Sequence, residues 1–228
     1  MGLFGGLKER LRKWKLAGRD PAQVFSQYYR ANKWGDAESR SGKGSNLEAT
    51  QVLREKLPAL VAELGVQSFL DLPCGDYFWM AKTDLGVAQY TGGDIVPEMI
   101  AANRAAHGRD GVDFEVIDLI KGPVPRHDMV FVRDCLVHLS TAHVKAALAN
   151  IRASGSQWLL TTTYPGTGTN EEISTGQWRT IDLEAPPFGL PAPARLIEEG
   201  QEHARGQMPG KMLGLWRVAD LPAEGPKR

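Results

Sequence analysis

The chain has little of what marks membrane-spanning, disulfide-rich or nucleic-acid-binding proteins. Its 228 residues include only two cysteines, Cys74 and Cys135, so we expect no disulfide framework, and a reducing, cytoplasmic setting fits best. No apolar run approaches the ~18 residues of a transmembrane helix, and the N-terminus has no signal-peptide pattern. The 27 basic side chains balance the 27 acidic ones, so no overall field attracts nucleic acid. We therefore expect no nucleic-acid partner.

One strongly basic stretch lies within this balanced composition, at residues 1–19. It has a single acid, Glu9, against six basic residues: Lys8, Arg10, Arg12, Lys13, Lys15 and Arg19. On a helix, its apolar residues fall on one face: Leu3, Phe4, Leu7, Leu11 and Trp14. This pattern predicts a basic amphipathic helix, which either lies on the inner face of an anionic membrane or packs on the domain or a partner.

Residues 20–65 read as a helical N-terminal extension. A helix is expected to begin at Pro21, which follows an aspartate in the capping position. The polar, glycine-containing residues 33–45 form a loop, which we interpret as a lid over a ligand. Ser45, with a glutamate three residues later, predicts the start of a second helix, and Pro58 is expected to end or kink it.

Strands and helices then alternate over the core, residues 66–228. Strands are predicted at residues 69–72, 90–94, 112–117, 129–133 and 158–163, and helices at residues 97–107 and 140–151. Repeated βα units of this kind form a parallel sheet with helices on both faces. A long irregular excursion, residues 164–194, comes next and is typical of a segment that serves a site. Two further strands are predicted at residues 195–198 and 212–218.

Acidic residues follow three successive predicted strands. Asp71 ends the first and leads into a turn through Gly75, Asp94 ends the second, and Asp118 follows the third. Ligands bind at the carboxyl ends of parallel strands, and an acid about 20 residues after a glycine turn is suited to bind ribose hydroxyls. The carboxylate of Asp118 could accept from an adenine amino group. The three acids together predict an adenosine site.

These segments resemble a known family. The stretches Asp71-Leu-Pro-Cys-Gly75, Gly93-Asp94-Ile95 and Asp118-Leu119 are similar to the first three motifs of class I S-adenosylmethionine-dependent methyltransferases. The resemblance covers residues 46–163. It implies an α/β, Rossmann-like fold, with a mostly parallel seven-stranded sheet closed by an antiparallel C-terminal strand pair. It also implies the cofactor S-adenosylmethionine.

Roles for individual residues come with this resemblance. The methionine part of the cofactor would face Asp71 and the turn through Cys74 and Gly75, its ribose Asp94, and its adenine Asp118 and Leu119. Pro73 and Ile95 are also expected to contact the cofactor. The first motif, with Trp79-Met80 after it, resembles a branch of largely uncharacterised bacterial methyltransferases. Pro73 and Tyr77 stand where the family usually has glycine. The bulk of Tyr77 argues against a pyrophosphate, and hence against a nicotinamide cofactor.

The remaining site residues are predicted from their position near these strand ends. Trp34 and Arg40 belong to the lid, and Arg40 or Arg133 is expected to pair with the cofactor carboxylate. His138 follows the fourth strand and is the candidate general base, with Asp134 orienting it or the substrate. The alternative is that His138 only packs or caps. The acceptor would be bound by residues of the excursion: Tyr164, Trp178 and Arg179.

The leading hypothesis is O-methylation of a small molecule or a sugar or glycan. N-methylation of a small amine, which needs no base, and a non-catalytic cofactor-binding module are the alternatives. The fourth strand is followed by Arg133-Asp134-Cys135-Leu136 and not by the Asn/Asp-Pro-Pro-Tyr of many base-modifying enzymes. No cysteine and histidine cluster has metal-ligand spacing, so no metal is expected. His127 precedes the fourth strand and is expected at the surface.

Overall fold

Seven strands form one mixed sheet in the order β3-β2-β1-β4-β5-β7-β6. The computed structural model describes Leu16, residues 18–199 and residues 210–223. The strands are β1 (Ser68–Asp71), β2 (Gln89–Asp94), β3 (Val112–Val116), β4 (Met129–Val132), β5 (Trp158–Thr163), β6 (Arg195–Glu198) and β7 (Met212–Arg217). Strands β1 to β5 run parallel, and β7 pairs antiparallel with both β5 and β6. The predicted fold class is confirmed, and each strand end lies within one residue of its predicted position.

Burial explains why the central strands are continuous apolar runs. All four residues of β4 are inaccessible to solvent, as are Phe69 and Leu70 of β1. In a strand that is covered on both faces, apolar residues do not alternate with polar ones, which is typical of a parallel sheet between helices. At the edge of the sheet, β3 buries only Phe114 fully and exposes Val116. Two apolar cores, one on each face, therefore hold the sheet.

In the described residues, four helices pack around the sheet: α1 (Pro21–Arg30), α2 (Gln51–Glu63), α3 (Pro97–His107) and α4 (Thr141–Ala153). Short 3-10 turns lie at Lys43–Ser45, Met80–Lys82, Leu136–His138 and Val218–Asp220. Ser140 caps α4 as predicted, because its hydroxyl accepts from the N–H of His143 at 3.3 Å. The predicted start of α1 at Pro21 is also confirmed.

The predicted start of α2 is wrong, and so is the prediction that Pro58 could end the helix; a kink at Pro58 stays a prediction. Ser45 belongs to a 3-10 turn, and the helix begins at Gln51. Pro58 does not end the helix, which continues as one element to Glu63. A proline removes one backbone hydrogen bond, whereas this helix buries four apolar side chains on one face: Leu53, Leu57, Leu60 and Val61. Packing against the sheet outweighs the local preference.

The expected surface position of His127 is also wrong. Its side chain is buried, with Nε2 3.0 Å from the Thr91 hydroxyl and Nδ1 3.3 Å from the Pro125 carbonyl. The chain enters β4 at the centre of the sheet, so neighbouring segments cover the residue just before it.

Within the part of the chain that the structure describes, no helix has the length and apolar character to cross a membrane. Residues 1–15 and 17, which make up most of the predicted basic helix, lie outside the described residues.

Candidate active site

A cavity of about 970 Å³ opens at the carboxyl ends of the parallel strands. It lies where β1 and β4 are neighbours and the strand order reverses, which is the usual ligand position in such sheets. The ends of three strands line it through Asp71, Asp94 and Arg133, and residues of the N-terminal extension line the opposite side. Its volume lies within the range of ~300–1,000 Å³ typical of small-molecule sites.

The turn after β1 is held closely against its surroundings. Gly75 has φ +57°, and a Cβ there would lie 2.2 Å from the Ser41 hydroxyl oxygen, so only glycine fits. The Cys74 N–H donates to the Gly93 carbonyl at 2.8 Å, and the Asn103 amide donates to the Gly75 carbonyl at 2.8 Å. The turn is therefore fixed by β2 on one side and by α3 on the other.

Two buried carboxylates at this turn have raised pKa values. Burial raises the pKa of Asp71 to about 7, against the effect of the Tyr90 hydroxyl, which donates to it at 2.7 Å. Burial also raises the pKa of Asp94 to about 6, although the N–H groups of Val96 and Gly75 donate to it at 3.0 and 3.3 Å. Both carboxylates line the cavity, so this wall favours a ligand that carries positive charge or donates hydrogen bonds.

Asp118 lines the same cavity and shapes the turn after β3. Its Oδ1 accepts from the N–H groups of Ile120 and Lys121 at 2.9 and 3.1 Å, and its Oδ2 lies 3.5 Å from the Lys121 ammonium. Leu119 and Ile95 line the cavity beside it, as do Pro73 and Cys74. The structure thus brings every residue of the predicted cofactor set into one cavity.

The N-terminal loop (residues 36–46) covers one side of the cavity and is tied down by Asp76. The Asp76 carboxylate accepts from the Ser39 hydroxyl at 2.9 Å, the Arg40 N–H at 2.7 Å and the Ser41 hydroxyl at 3.1 Å. Sequence reasoning gave Asp76 no role, because its partners lie more than 30 residues earlier and no local pattern joins them. The acid directly after the glycine turn was the only available signal.

Trp34 and Arg40 both line the cavity, as predicted for the lid. The Trp34 ring centroid lies 6.0 Å from that of His138, and the Cβ of Trp34 would lie 2.8 Å from a Cβ at Gly42. The Arg40 guanidinium carbon lies 5.4 Å from the centroid of the Tyr29 ring, a cation–π geometry. Aromatic packing therefore joins the lid to the rest of the site.

Four charged residues form a cluster at the cavity wall, named here the charge cluster: Arg133, Asp134, Glu199 and Lys211. Arg133 donates through Nε to Glu199 Oε2 at 2.8 Å. The Lys211 ammonium lies 2.8 Å from Asp134 Oδ2 and 3.1 Å from Glu199 Oε2. Glu199 and Lys211 were missed from the sequence, since they follow the excursion and carry no motif.

Arg133 also connects the charge cluster to the N-terminal loop. Its Nη1 donates to the Gly44 carbonyl at 2.8 Å. Its protein partners include Glu199 and Gly44, and its pairing with a cofactor carboxylate stays a prediction. Burial acts to raise the pKa of Asp134, but Lys211 and Arg133 outweigh it, so this pKa lies below its ordinary value. Asp134 is an anion at neutral pH.

His138 lies in the 3-10 turn after β4 and lines the cavity. Its Nδ1 is 2.8 Å from the Gln177 carbonyl oxygen. A carbonyl only accepts, so Nδ1 carries the proton, and in the neutral ring the lone pair is on Nε2. This backbone carbonyl therefore helps to orient the ring, and an orienting role for Asp134 stays a prediction.

Two of the three predicted acceptor-binding residues line the cavity. Tyr164 and Trp178 meet edge to face with ring centroids 6.4 Å apart, and Trp178 is 42% exposed. Arg179 lies in the interior, away from the cavity lining, and donates to the Leu139 carbonyl at 2.5 Å. Loss of solvent lowers the pKa of Arg179. This arginine ties the excursion to the segment after β4.

Residues 70–154 match the family profile described as a methyltransferase domain. The matched segment runs from β1 to α4 and includes the strand-end acids, His138 and Asp134. It leaves out the N-terminal loop, Glu199 and Lys211. A comparison with curated proteins finds no match to the sequence.

Solved structures share the fold over most of the chain. Magnesium protoporphyrin IX methyltransferase from Synechocystis PCC 6803, with bound SAM, is 15% identical with a TM-score of 0.58 and covers 88% of this chain and 98% of its own. Human N-acetylserotonin methyltransferase in complex with SAM is 13% identical with a TM-score of 0.61. The match covers 98% of this chain and 66% of the human chain. The cyclase SpnF is 19% identical with a TM-score of 0.51, and the match covers 73% of this chain and 70% of SpnF. The fold thus occurs in proteins with different reactions, and the site must decide the function.

Among the described residues, no group of three or more histidine, cysteine, aspartate or glutamate side chains is arranged to hold a metal ion.

Proposed function

We propose that this protein is an S-adenosylmethionine-dependent methyltransferase that methylates an oxygen atom of a small molecule or a glycan. One observation carries the proposal: the strand-end acids Asp71, Asp94 and Asp118 and the Gly75 turn line one cavity at the point where the strand order reverses. The match of residues 70–154 to a methyltransferase domain supports it, as do the SAM-bound structures of the same fold.

The cavity fits this cofactor in shape and in charge. Gly75, which leaves no room for a Cβ, lets the backbone of the turn approach a ligand closely. Asp94 is buried at the end of β2, where a carboxylate accepts from ribose hydroxyls. Asp71, the second buried carboxylate, favours the positively charged methionine and sulfonium part. We propose that the N-terminal extension, residues 20–65, serves as a lid through its loop.

The chain's own part in the reaction is alignment and proton removal. Bound S-adenosylmethionine supplies an activated methyl group, which an in-line nucleophile accepts. The aromatic pair Tyr164 and Trp178 would bind the acceptor against the cavity wall, and enclosure by the lid would exclude water. The Nε2 lone pair of His138 would take the proton of the acceptor hydroxyl. Asp134 is a weaker candidate for this step, because its lowered pKa makes it a poor base.

Titration calorimetry with S-adenosylmethionine tests the proposal. We expect binding by the wild-type protein and at least tenfold weaker binding by Asp94→Asn, which keeps the size of the side chain but loses its charge. Asp113→Asn is the matched control, because Asp113 is an exposed residue on β3 that pairs with Arg104. Absence of binding by the wild type, or equal binding by all three proteins, would reject the function.

A further inference from the structure

The charge cluster holds carboxylate oxygens that its own cations do not use. Glu199 is 97% buried, since its exposed fraction is 3%, and its Oε2 accepts from Arg133 and from Lys211. No described residue donates to its other oxygen, Oε1. A buried carboxylate oxygen without a donor is costly, so native proteins almost always provide one from the chain, from water or from a ligand.

Asp134 repeats this arrangement on the other side of the Lys211 ammonium. Lys211 and Arg133 both contact Asp134 Oδ2, at 2.8 and 3.4 Å, and neither of these contacts involves Oδ1. The side chain of Asp134 is 31% exposed and lines the cavity. The cluster therefore offers two acceptor oxygens on either side of one cation.

The charges of the cluster discriminate between kinds of ligand. Two cations and two anions balance, and the cations are engaged by the carboxylates. An amine would bring a third positive charge next to Arg133 and Lys211. A carboxylate or phosphate would have to displace Glu199 or Asp134 from their cations. A neutral group that donates hydrogen bonds adds no positive charge and displaces no carboxylate, because the remaining carboxylate oxygens accept from it.

We infer that the charge cluster recognises the acceptor, and that it selects an uncharged acceptor with neighbouring hydroxyl groups over an amine or an acid. The inference rests on the proposed function, since it concerns the acceptor side of the same cavity. The cluster lies beside His138, which also contributes to the electrostatic environment of Asp134. A hydroxyl held by the carboxylates is thus near the candidate base.

Ligand-observed NMR with three matched probes tests the inference. The protein is first saturated with S-adenosylhomocysteine, and its binding of trans vicinal cyclohexanediol, the matching amino alcohol and the matching hydroxy acid is then measured near neutral pH. We expect the diol to bind at least tenfold more tightly than the two charged probes. In Glu199→Gln, we expect the affinity for the diol to fall roughly 10- to 100-fold, as for loss of a charge-assisted hydrogen bond.

Glu198→Gln is the matched control, because Glu198 is the preceding residue and is exposed at the end of β6. It should bind the diol as the wild type does. Affinity for S-adenosylhomocysteine should be unchanged in both variants, which also shows that they are folded. If Glu199→Gln does not fold, Asp134→Asn is used instead, since the partly exposed Asp134 tolerates the change better, and the same loss is expected.

Four results would overturn the inference while leaving the proposed function intact. They are tighter or equal binding of either charged probe, no binding of any probe, an unchanged diol affinity in Glu199→Gln and Asp134→Asn, or a loss of S-adenosylhomocysteine binding as large as in Asp94→Asn. The last result would assign the cluster to the cofactor. Failure of the wild type to bind S-adenosylmethionine or its product would instead reject the proposed function itself.

Discussion

Three aspartates near the ends of parallel strands differ in ionisation because their surroundings differ. Burial raises the pKa of Asp71 to about 7 and that of Asp94 to about 6, since neither has a cation in direct contact. Lys211 and Arg133 contact Asp134 and lower its pKa in spite of burial. Asp134 therefore stays ionised, and His138 is the better candidate for the residue that moves a proton.

Replacing His138 by glutamine tests this assignment. Glutamine can still donate to the Gln177 carbonyl but has no basic nitrogen. We expect the turnover rate to fall by about 10²–10⁴-fold, with loss of the rise in rate with pH that a general base causes. The measurement is the pH–rate profile of methyl transfer from labelled S-adenosylmethionine to the acceptor found in a metabolite screen.

His143→Gln is the control for this experiment. His143 lies on α4 beside the Thr175 hydroxyl and away from the cavity lining, so its replacement should not change the profile. An identical profile for His138→Gln and the wild type would remove His138 from the mechanism. It would also favour N-methylation of an amine, which needs no base.

The side chain of Asp76 helps to hold the N-terminal loop in place. Asp76 accepts two side-chain and one backbone hydrogen bond from residues 39–41, and Arg133 holds the loop again at Gly44. Both anchors come from the turns that follow β1 and β4. The loop is thus fixed to the same edge of the sheet that forms the cavity.

Asp76→Asn should loosen this loop. The amide keeps the size of the side chain but loses the charge that strengthens three hydrogen bonds. We expect about tenfold weaker binding of S-adenosylmethionine and faster trypsin cleavage after Arg40 and Lys43, with protection when the cofactor is added. Calorimetry and timed proteolysis measure the two effects.

Asp84→Asn serves as the comparison, because Asp84 is exposed and bonds only the nearby Gly86 N–H in a separate turn. Its cleavage rate and its affinity should match the wild type. Equal cleavage of Asp76→Asn and Asp84→Asn would show that the loop does not depend on Asp76.

Helices and strands were predicted well where the local sequence pattern and the packing of the folded chain favour the same structure. The five parallel strands are apolar runs that end on acids or turns, and Ser140 caps α4 as its sequence indicates. The helix does not begin at Ser45 or end at Pro58, because the buried face of α2 outweighs these local signals. A capping residue stabilises a helix by about 1 kcal/mol, which is less than the stabilisation from burying several leucine side chains.

Ionisation of buried carboxyls links the stability of the whole molecule to pH. The folded protein holds the proton of Asp71 up to a pH of about 7, whereas an unfolded aspartate releases it near 3.9. The folded state thus binds more protons between these values, so the free energy of unfolding falls as the pH rises from about 4 to about 7. Asp94 acts in the same direction up to about pH 6.

We predict that Asp71→Asn reduces this fall by on the order of 3 kcal/mol, measured by urea unfolding of the ligand-free protein near pH 5 and near pH 7.5. Stabilisation by S-adenosylmethionine should increase over the same range in the wild type, because the ionised carboxylate favours its positive charge. Asp113→Asn, at an exposed site, should retain the wild-type slope. A wild-type slope in Asp71→Asn would contradict the buried, protonated state of this group.

The sequence by itself determined the fold class and the strand-end residues that we propose to bind the cofactor. The apolar strands, the Gly75 turn and the acids Asp71, Asp94 and Asp118 lie close together along the chain, and the carboxyl ends of parallel strands necessarily meet at one edge. Only the tertiary structure brought the charge cluster together. Arg133 meets Glu199 across 66 residues, and Lys211 meets Asp134 across 77. Such contacts depend on how β7 pairs with β5 and β6 pairs with β7, and no spacing in the sequence specifies that pairing.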